Sequence, residues 1–274
     1  MYNDEQLKEI STKMKLLALQ GVYEAQSGHL GGSFSASDIV AAIFFNHLKT
    51  YDNDIRHPDR DRFVLSKGHA APIYYAALAL KGFFDEAELR NLRKIDGFLQ
   101  GHPSMDKTPG VDISSGSLGQ GLSAANGMAL AGVSDNKGYK VYCICGDGEM
   151  QEGQIWEAAM TAAHYKLDNV ILFVDCNGLQ IDGEVKAVMN SYPLSDKFRA
   201  FGWNVWEIDG HNFTQINAAI AEAKESAGKP NAIIARTVKG KGVSFMENQA
   251  SWHGVAPNKE QYETALEELR RELK

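Results

Sequence analysis

Two short segments carry the most distinctive chemistry in the sequence. Gly146-Asp147-Gly148 follows the apolar run VYCIC, and Asn177-Gly178-Leu179 follows a second apolar run, VILFVDC. Glycine lets the chain turn sharply and brings backbone close to a ligand, and Asp147 sets a hard oxygen donor between two of them. A carboxylate, an amide oxygen and a backbone carbonyl form a partial oxygen shell. Mg²⁺ suits such a shell, because it takes few protein ligands and completes its octahedron with phosphate oxygens and water. Alone, GDG also describes a tight turn with a solvated aspartate; the asparagine one helix and one strand later singles it out. Four of the eight histidines, His29, His69, His102 and His253, each adjoin a glycine. Imidazole titrates near neutrality and can donate to or accept from a substrate hydroxyl. His47, His57 and His164 lack that setting and read as structural. His211, in Asp-Gly-His-Asn, stands either at a strand end near the site or apart from it.

The elements that must hold these residues alternate between helix and strand. Leu7, Ile10, Met14 and Leu17 recur every three or four positions, which predicts an amphipathic first helix. A second helix is expected over Ser35–His47, a third over Tyr74–Leu80 entered through Pro72, and an alanine-rich fourth over Leu118–Gly132 behind a turn of small residues. Strands are expected at Lys140–Cys145, Val170–Asp175, Asn204–Ile208 and Ala232–Thr237, with helices at Gln154–Lys166 and Thr214–Ser226. Tyr262, Leu266, Leu269 and Leu273 share one face of a last, packing helix. Strands apolar on both sides and joined by helices of this length predict an α/β fold, a mostly parallel sheet flanked by helices on both faces. In such a sheet ligands bind beyond the carboxyl ends of the strands, where Asp147 and Asn177 fall.

At 274 residues with 44% hydrophobic and 23% charged side chains, the chain excludes a disordered, collagenous or coiled-coil protein. No linker or repeat marks a boundary, so residues 1–274 read as a single domain with an amino-terminal helical portion and a carboxy-terminal helix. The net charge of −7 supplies no field for nucleic acid or an anionic membrane, so an anionic ligand needs a local device. Cys143, Cys145 and Cys176 read as small buried hydrophobes in a reducing compartment. The amino terminus has no signal-peptide pattern, and no apolar run approaches the roughly 20 residues that cross a bilayer. A cytoplasmic protein is expected.

The sequence resembles transketolases. GDGEMQEGQIWEAAMTAAHYKLDNVILFVDCNGLQIDG is similar throughout to the segment in which that family binds the diphosphate of thiamine diphosphate. SGHLGG around His29, DRFVLSKGHA around His69, GHPS around His102, SGSLGQGLSAANGMA from Ser115 and WHG around His253 occur in the family's order. The resemblance implies Mg²⁺ ligation by Asp147, Asn177 and the carbonyl of Leu179. It places Gly146, Gly148 and Glu149 at the diphosphate, His69 and His253 on its oxygens, and Gly116 and Leu118 near the thiazolium ring. It implies that His29, His69, His102 and His253 line the sugar channel, and that Glu152 and Glu157 lie at a subunit interface near the catalytic glutamate. Lys239 and Lys241, in a Lys-Gly-Lys-Gly loop, either attract a phosphate or are simply solvated.

The likeness runs from about Leu16 to Pro257 and matches only the amino-terminal, diphosphate-binding half of a transketolase. The pyrimidine-binding domain, which carries the family's catalytic glutamate, has no counterpart here. The resemblance therefore implies the amino-terminal subunit of a split, thiamine-diphosphate- and Mg²⁺-dependent transketolase. Its partner would be a separate carboxy-terminal subunit with the pyrimidine-binding domain, in two copies of each, acting on sugar phosphates. Open alternatives are the same chemistry on a branched or sulfonated ketose, another enzyme of this cofactor class acting on a 2-oxo acid, and a non-catalytic binding subunit.

Overall fold

The computed structural model describes residues 1–51, 54–55 and 57–273. Five strands pair in parallel in the order β1-β2-β3-β7-β6. They are β1 (Arg62–Leu65), β2 (Val141–Gly146), β3 (Val170–Cys176), β6 (Asn204–Asp209) and β7 (Asn231–Arg236). A two-residue antiparallel pair, β4 (Leu179–Gln180) and β5 (Gly183–Glu184), forms a small separate hairpin just beyond β3.

Strand pleating divides the apolar side chains between the two faces. Tyr142, Ile144, Ile171, Phe173 and Ile233 point to one core. There they meet α1 (Asp4–Ala25), α2 (Leu30–Ala42), α3 (Ala71–Leu80), α8 (Phe213–Glu225) and α9 (Lys259–Arg271). Val141, Cys143, Cys145, Leu172 and Val174 point to the other. That core is closed by α4 (Gly121–Ser134), α5 (Gly153–His164) and α7 (Leu194–Ala200), while the one-turn α6 (Val185–Val188) follows the hairpin. The sheet is thus covered on both faces, as its two-sided apolar strands require. The three cysteines are free and buried.

Several elements depart from the sequence reading, the β4–β5 hairpin, α6 and α7 among them. β1 has no counterpart there, because four residues of mixed polarity between charged segments carry too little pattern to announce a strand. The second helix starts at Leu30 rather than Ser35 and ends in a π-turn over Ile43–His47. Its first turn has no side-chain cap and contains two glycines, which are poor helix formers, so the usual start signals are missing. Those glycines serve close packing: a Cβ on Gly31 would lie 2.7 Å from the carbonyl oxygen of Trp252. No helix among the described residues is long and apolar enough to cross a membrane.

Candidate active site

The carboxyl ends of four adjacent strands, β1, β2, β3 and β7, deliver Lys67 and His69, Asp147, Asn177 and Lys239 to one cavity of about 150 Å³. Asp147 is 1% exposed. Its Oδ1 accepts from the Gly148 N–H (2.9 Å), and its Oδ2 accepts from the Gly178 N–H (2.7 Å) and the Tyr192 hydroxyl (2.7 Å). Burial nevertheless pushes the carboxyl above its usual range, and the nearby Asp175 charge adds to that; the hydrogen bonds oppose both. Asn177 donates through Nδ2 to Ser35 Oγ (3.2 Å), which turns its Oδ1 toward the loop, where it accepts from the Leu179 N–H (3.1 Å). The Asp147 carboxylate and the Asn177 amide oxygen lie at this corner of the cavity, which Leu179 also lines. Among the described residues, no group of three or more His, Cys, Asp or Glu side chains is placed to hold a metal.

Facing these oxygens is a basic wall. Lys239 is 1% exposed and its Nζ lies 3.0 Å from His253 Nδ1. Burial and the neighbouring Lys67 charge lower its pKa to about 8, so it remains mostly cationic at neutral pH. The His253 ring centroid stands 4.9 Å from that of His69 and 5.6 Å from that of His29, and His29 lies 6.3 Å from His102. Burial first, and then adjacent lysines and imidazoles, lower His253 to about 3 and drive His69 well below its ordinary value. Burial, Arg93 and His102 take His29 to about 4. These three imidazoles are therefore neutral donors and acceptors across the physiological range. His102, at the exposed rim, is lowered by partial burial and Arg93.

Behind the wall lies a layer of buried charge, of which sequence reasoning missed Lys67 and Asp175. Lys67 (1% exposed) donates to the Gly32 carbonyl (2.9 Å) and pairs with Asp175 (0% exposed). Asp175 also accepts from Ser35 Oγ (2.6 Å) and Thr237 Oγ1. Glu149, 3% exposed, braces three loops at once, accepting from Ser66 Oγ, the Gly119 N–H (2.8 Å) and the Gly146 N–H (3.1 Å). Its carboxyl thus points into protein. Gly116, at φ 136°, allows the loop before α4 to pass His102, whose Cδ2 a Cβ would meet at 2.9 Å.

Of the residues singled out from sequence, Gly146, Asp147, Gly148, Glu149, Glu152, Asn177, Leu179, Leu118, His69 and His253 line the cavity, and His29 stands beside them. Glu157 lies elsewhere, exposed on α5. Lys239 and Lys241, equivalent in sequence, separate: Lys239 is sealed into the site, whereas Lys241 pairs with Glu247 (3.4 Å) at the partly exposed loop surface. His47 hydrogen-bonds Asn217 (2.8 Å) and His57 stacks on Tyr51, both remote from the cavity. Three buried polar atoms around the site, His29 Nδ1, Ser115 Oγ and Gln180 Nε2, have no hydrogen-bond partner among the described residues. Buried polar groups are rarely left so, and donors next to two lysines and a string of glycines fit a polar, anionic ligand group.

Residues 6–272 match the family model described as transketolase, thiamine diphosphate binding domain. The chain is 45% identical over 266 residues to the 6-deoxy-6-sulfo-D-fructose transketolase subunit SqwG of Clostridium sp. (strain MSTE9), covering 97% of each protein. It is 39% identical over 265 residues to a subunit of the apulose-4-phosphate transketolase of Phocaeicola vulgatus, covering 97% of this chain and 94% of that protein. The crystal structure of transketolase from Campylobacter jejuni superposes with a TM-score of 0.91 at 36% identity, over 98% of this chain but 43% of that one. The chain thus spans less than half the length of that transketolase.

Proposed function

The chain belongs to the transketolase family, as its thiamine-diphosphate-binding domain, and from that premise we propose that it is the amino-terminal subunit of a two-chain, Mg²⁺-dependent transketolase. What carries the reading is the convergence of four strand ends on one cavity with oxygen donors on one side and Lys239, His69 and His253 on the other. Residues 1–274 act as a single diphosphate-binding domain. Asp147, Asn177 and the Leu179 carbonyl hold Mg²⁺, an oxygen set of the kind that ion takes alongside phosphate oxygens. Gly148, His69, Lys239 and His253 face the diphosphate, and Gly116 and Leu118 pack beside the ring system. Gly146 gives the turn its freedom and Glu149 fixes that turn to its neighbours.

Thiamine diphosphate, when bound, supplies the carbanion chemistry for moving a two-carbon ketol unit from a ketose to an aldose. The chain's own contribution is binding, orientation and proton handling. His29, His69 and His253 are neutral, so His29 and His69 can each accept a hydrogen bond from a sugar hydroxyl at one ring nitrogen and donate one from the other, while His253, whose Nδ1 faces Lys239 Nζ, offers its Nε2. His102 meets the substrate at the rim.

A separate partner is supported by the relatives of matching length, both of which are named as subunits. That partner supplies the pyrimidine-binding domain, in a two-plus-two assembly, and approaches over Glu152 at the cavity and Glu157 on α5. A second reading concerns the sugar: the two relatives are named for a sulfonated ketose and for apulose 4-phosphate, so an unusual ketose is as well supported as an ordinary ketose phosphate.

The experiment mixes the purified chain with its carboxy-terminal companion, thiamine diphosphate and Mg²⁺, and follows ketol transfer from phosphorylated, branched and sulfonated ketoses. Transfer by the mixture and by neither chain alone is expected. Equal transfer by this chain alone overturns the two-chain reading, and cofactor binding without transfer from any ketose identifies a non-catalytic subunit instead.

A further inference from the structure

Lys239 sits in a loop whose placement depends on a residue that touches no part of the cavity. β6 lies beside β7 in the sheet, and the turn after β6 carries His211. Its Nδ1 lies 2.7 Å from Asp38 Oδ2 on α2, and its Nε2 accepts from the Val238 N–H at 2.9 Å. A nitrogen that accepts has no proton, and a carboxylate has none to give. The contacts therefore select one neutral tautomer, with the proton on Nδ1. Asp38 is itself buried and fixed by Ser11 Oγ at 2.5 Å. Although burial pushes the Asp38 carboxyl up, Lys15, His211 and Ser11 outweigh it and hold it below its usual range.

Val238 immediately precedes Lys239, and the Gly240 N–H on the other side donates to the Gly31 carbonyl (2.9 Å). The Lys239 carbonyl accepts from the Asn248 N–H (2.9 Å). Gly240, at φ 77°, lies so close to Met246 that a Cβ would fall 2.5 Å from its carbonyl oxygen, so that end of the turn has no slack. The backbone on either side of Lys239 is thus pinned, once by α2 directly and once by α2 through Asp38 and His211.

We propose that His211, oriented by Asp38, is a positioning residue that seats Lys239 in the site. The inference deepens the proposed function and rests on its reading of Lys239 as a diphosphate-facing cation. Removing the imidazole leaves the Val238 N–H without its acceptor and frees one of the two flanking anchors. The side chain of Lys239, held besides by His253, then gains access to solvent.

The test reads Lys239 directly. Competitive acetylation of the full chain between pH 6 and 11, followed by mass spectrometry, reports the reactivity and titration of each lysine. In the wild type, Lys239 is expected to react slowly, as its burial requires, and to titrate near 8. In His211→Ala its reactivity is expected to rise about tenfold, the scale of one lost hydrogen bond, and its titration to move up toward that of a free lysine. Lys67, equally buried but held by Asp175, is the internal control. His211→Gln, whose amide carries an acceptor and a donor at about the imidazole's spacing, is expected to restore the wild-type pattern. Unchanged Lys239 labelling in His211→Ala overturns the proposal, as does a rise shared by Lys67, which marks general loosening. Calorimetry with thiamine diphosphate and Mg²⁺ separates the two readings. If labelling responds but Lys239→Met binds the cofactor as tightly as wild type, the diphosphate-facing reading of Lys239 is what fails, and His211 keeps only a structural hydrogen bond.

Discussion

Breaking the Lys67–Asp175 pair one partner at a time is expected to be severe, and replacing both together mild. Asp175 is 0% and Lys67 1% exposed, so neither charge can turn to water if its partner is lost. Removing one member of a buried pair leaves an uncompensated charge at a cost of about 3–5 kcal/mol. For a chain of this size each kcal/mol shifts Tm by about 2–4 °C, so Lys67→Met or Asp175→Asn should lower Tm by about 10 °C. The double variant Lys67→Met/Asp175→Asn buries no charge and is expected to lose much less than the sum of the singles. The loss also has a pH signature. Burial pushes the Asp175 carboxyl up, but Lys67 and the hydrogen bonds from Ser35 and Thr237 outweigh it, so its folded value lies below the ordinary 3.8. A carboxyl lowered by folding stabilises above its unfolded value, and that contribution is lost as pH falls through the folded one. The gap between wild type and Lys67→Met should therefore be full at pH 7 and close below about pH 4. Scanning calorimetry over that range measures it. Single variants within about 1 kcal/mol of wild type, or a double variant whose loss equals the sum, would show that the pair behaves like a surface ion pair and refute the reasoning.

Two further outcomes concern the metal corner and the basic wall. Ser35 receives Asn177 Nδ2 and donates to Asp175, which fixes the sense of the Asn177 amide; Ser35→Ala should weaken Mn²⁺ binding, read by electron paramagnetic resonance as a surrogate for Mg²⁺, by about tenfold, the low end for residues that orient metal ligands, and unchanged affinity would sever that link. Lys239, at about 8, loses its charge as pH rises through that value, whereas His253 at about 3 and His29 at about 4 stay neutral. Thiamine diphosphate affinity of wild type should thus fall between pH 7 and 9 while that of Lys239→Met stays flat, as calorimetry in matched buffers can show.

The site divides into a part that local sequence betrays and a part that it does not. Asp147 and Asn177 are legible because each follows an apolar strand and is flanked by glycine, and a parallel sheet obliges such residues to meet at one edge. The strand-helix rhythm from β2 onward is legible for the same reason, since two-sided burial leaves long apolar runs. Lys67 and Asp175 are 108 residues apart, and nothing near either announces that the other will neutralise it. Lys239 and Lys241 share one motif and differ only in what the rest of the fold sets over them, and His211 acquires a role only when Asp38, 173 residues away, is brought to its ring. Turn chemistry is decided within a few residues, so the surface facing the ligand can be read along the chain. Burial of a charge is decided by a distant partner, so the layer that holds that surface in place emerges only with the fold. A substitution in this hidden layer should therefore disturb cation and cofactor binding without altering a single ligand-facing residue, as Ser35→Ala and His211→Ala are placed to show.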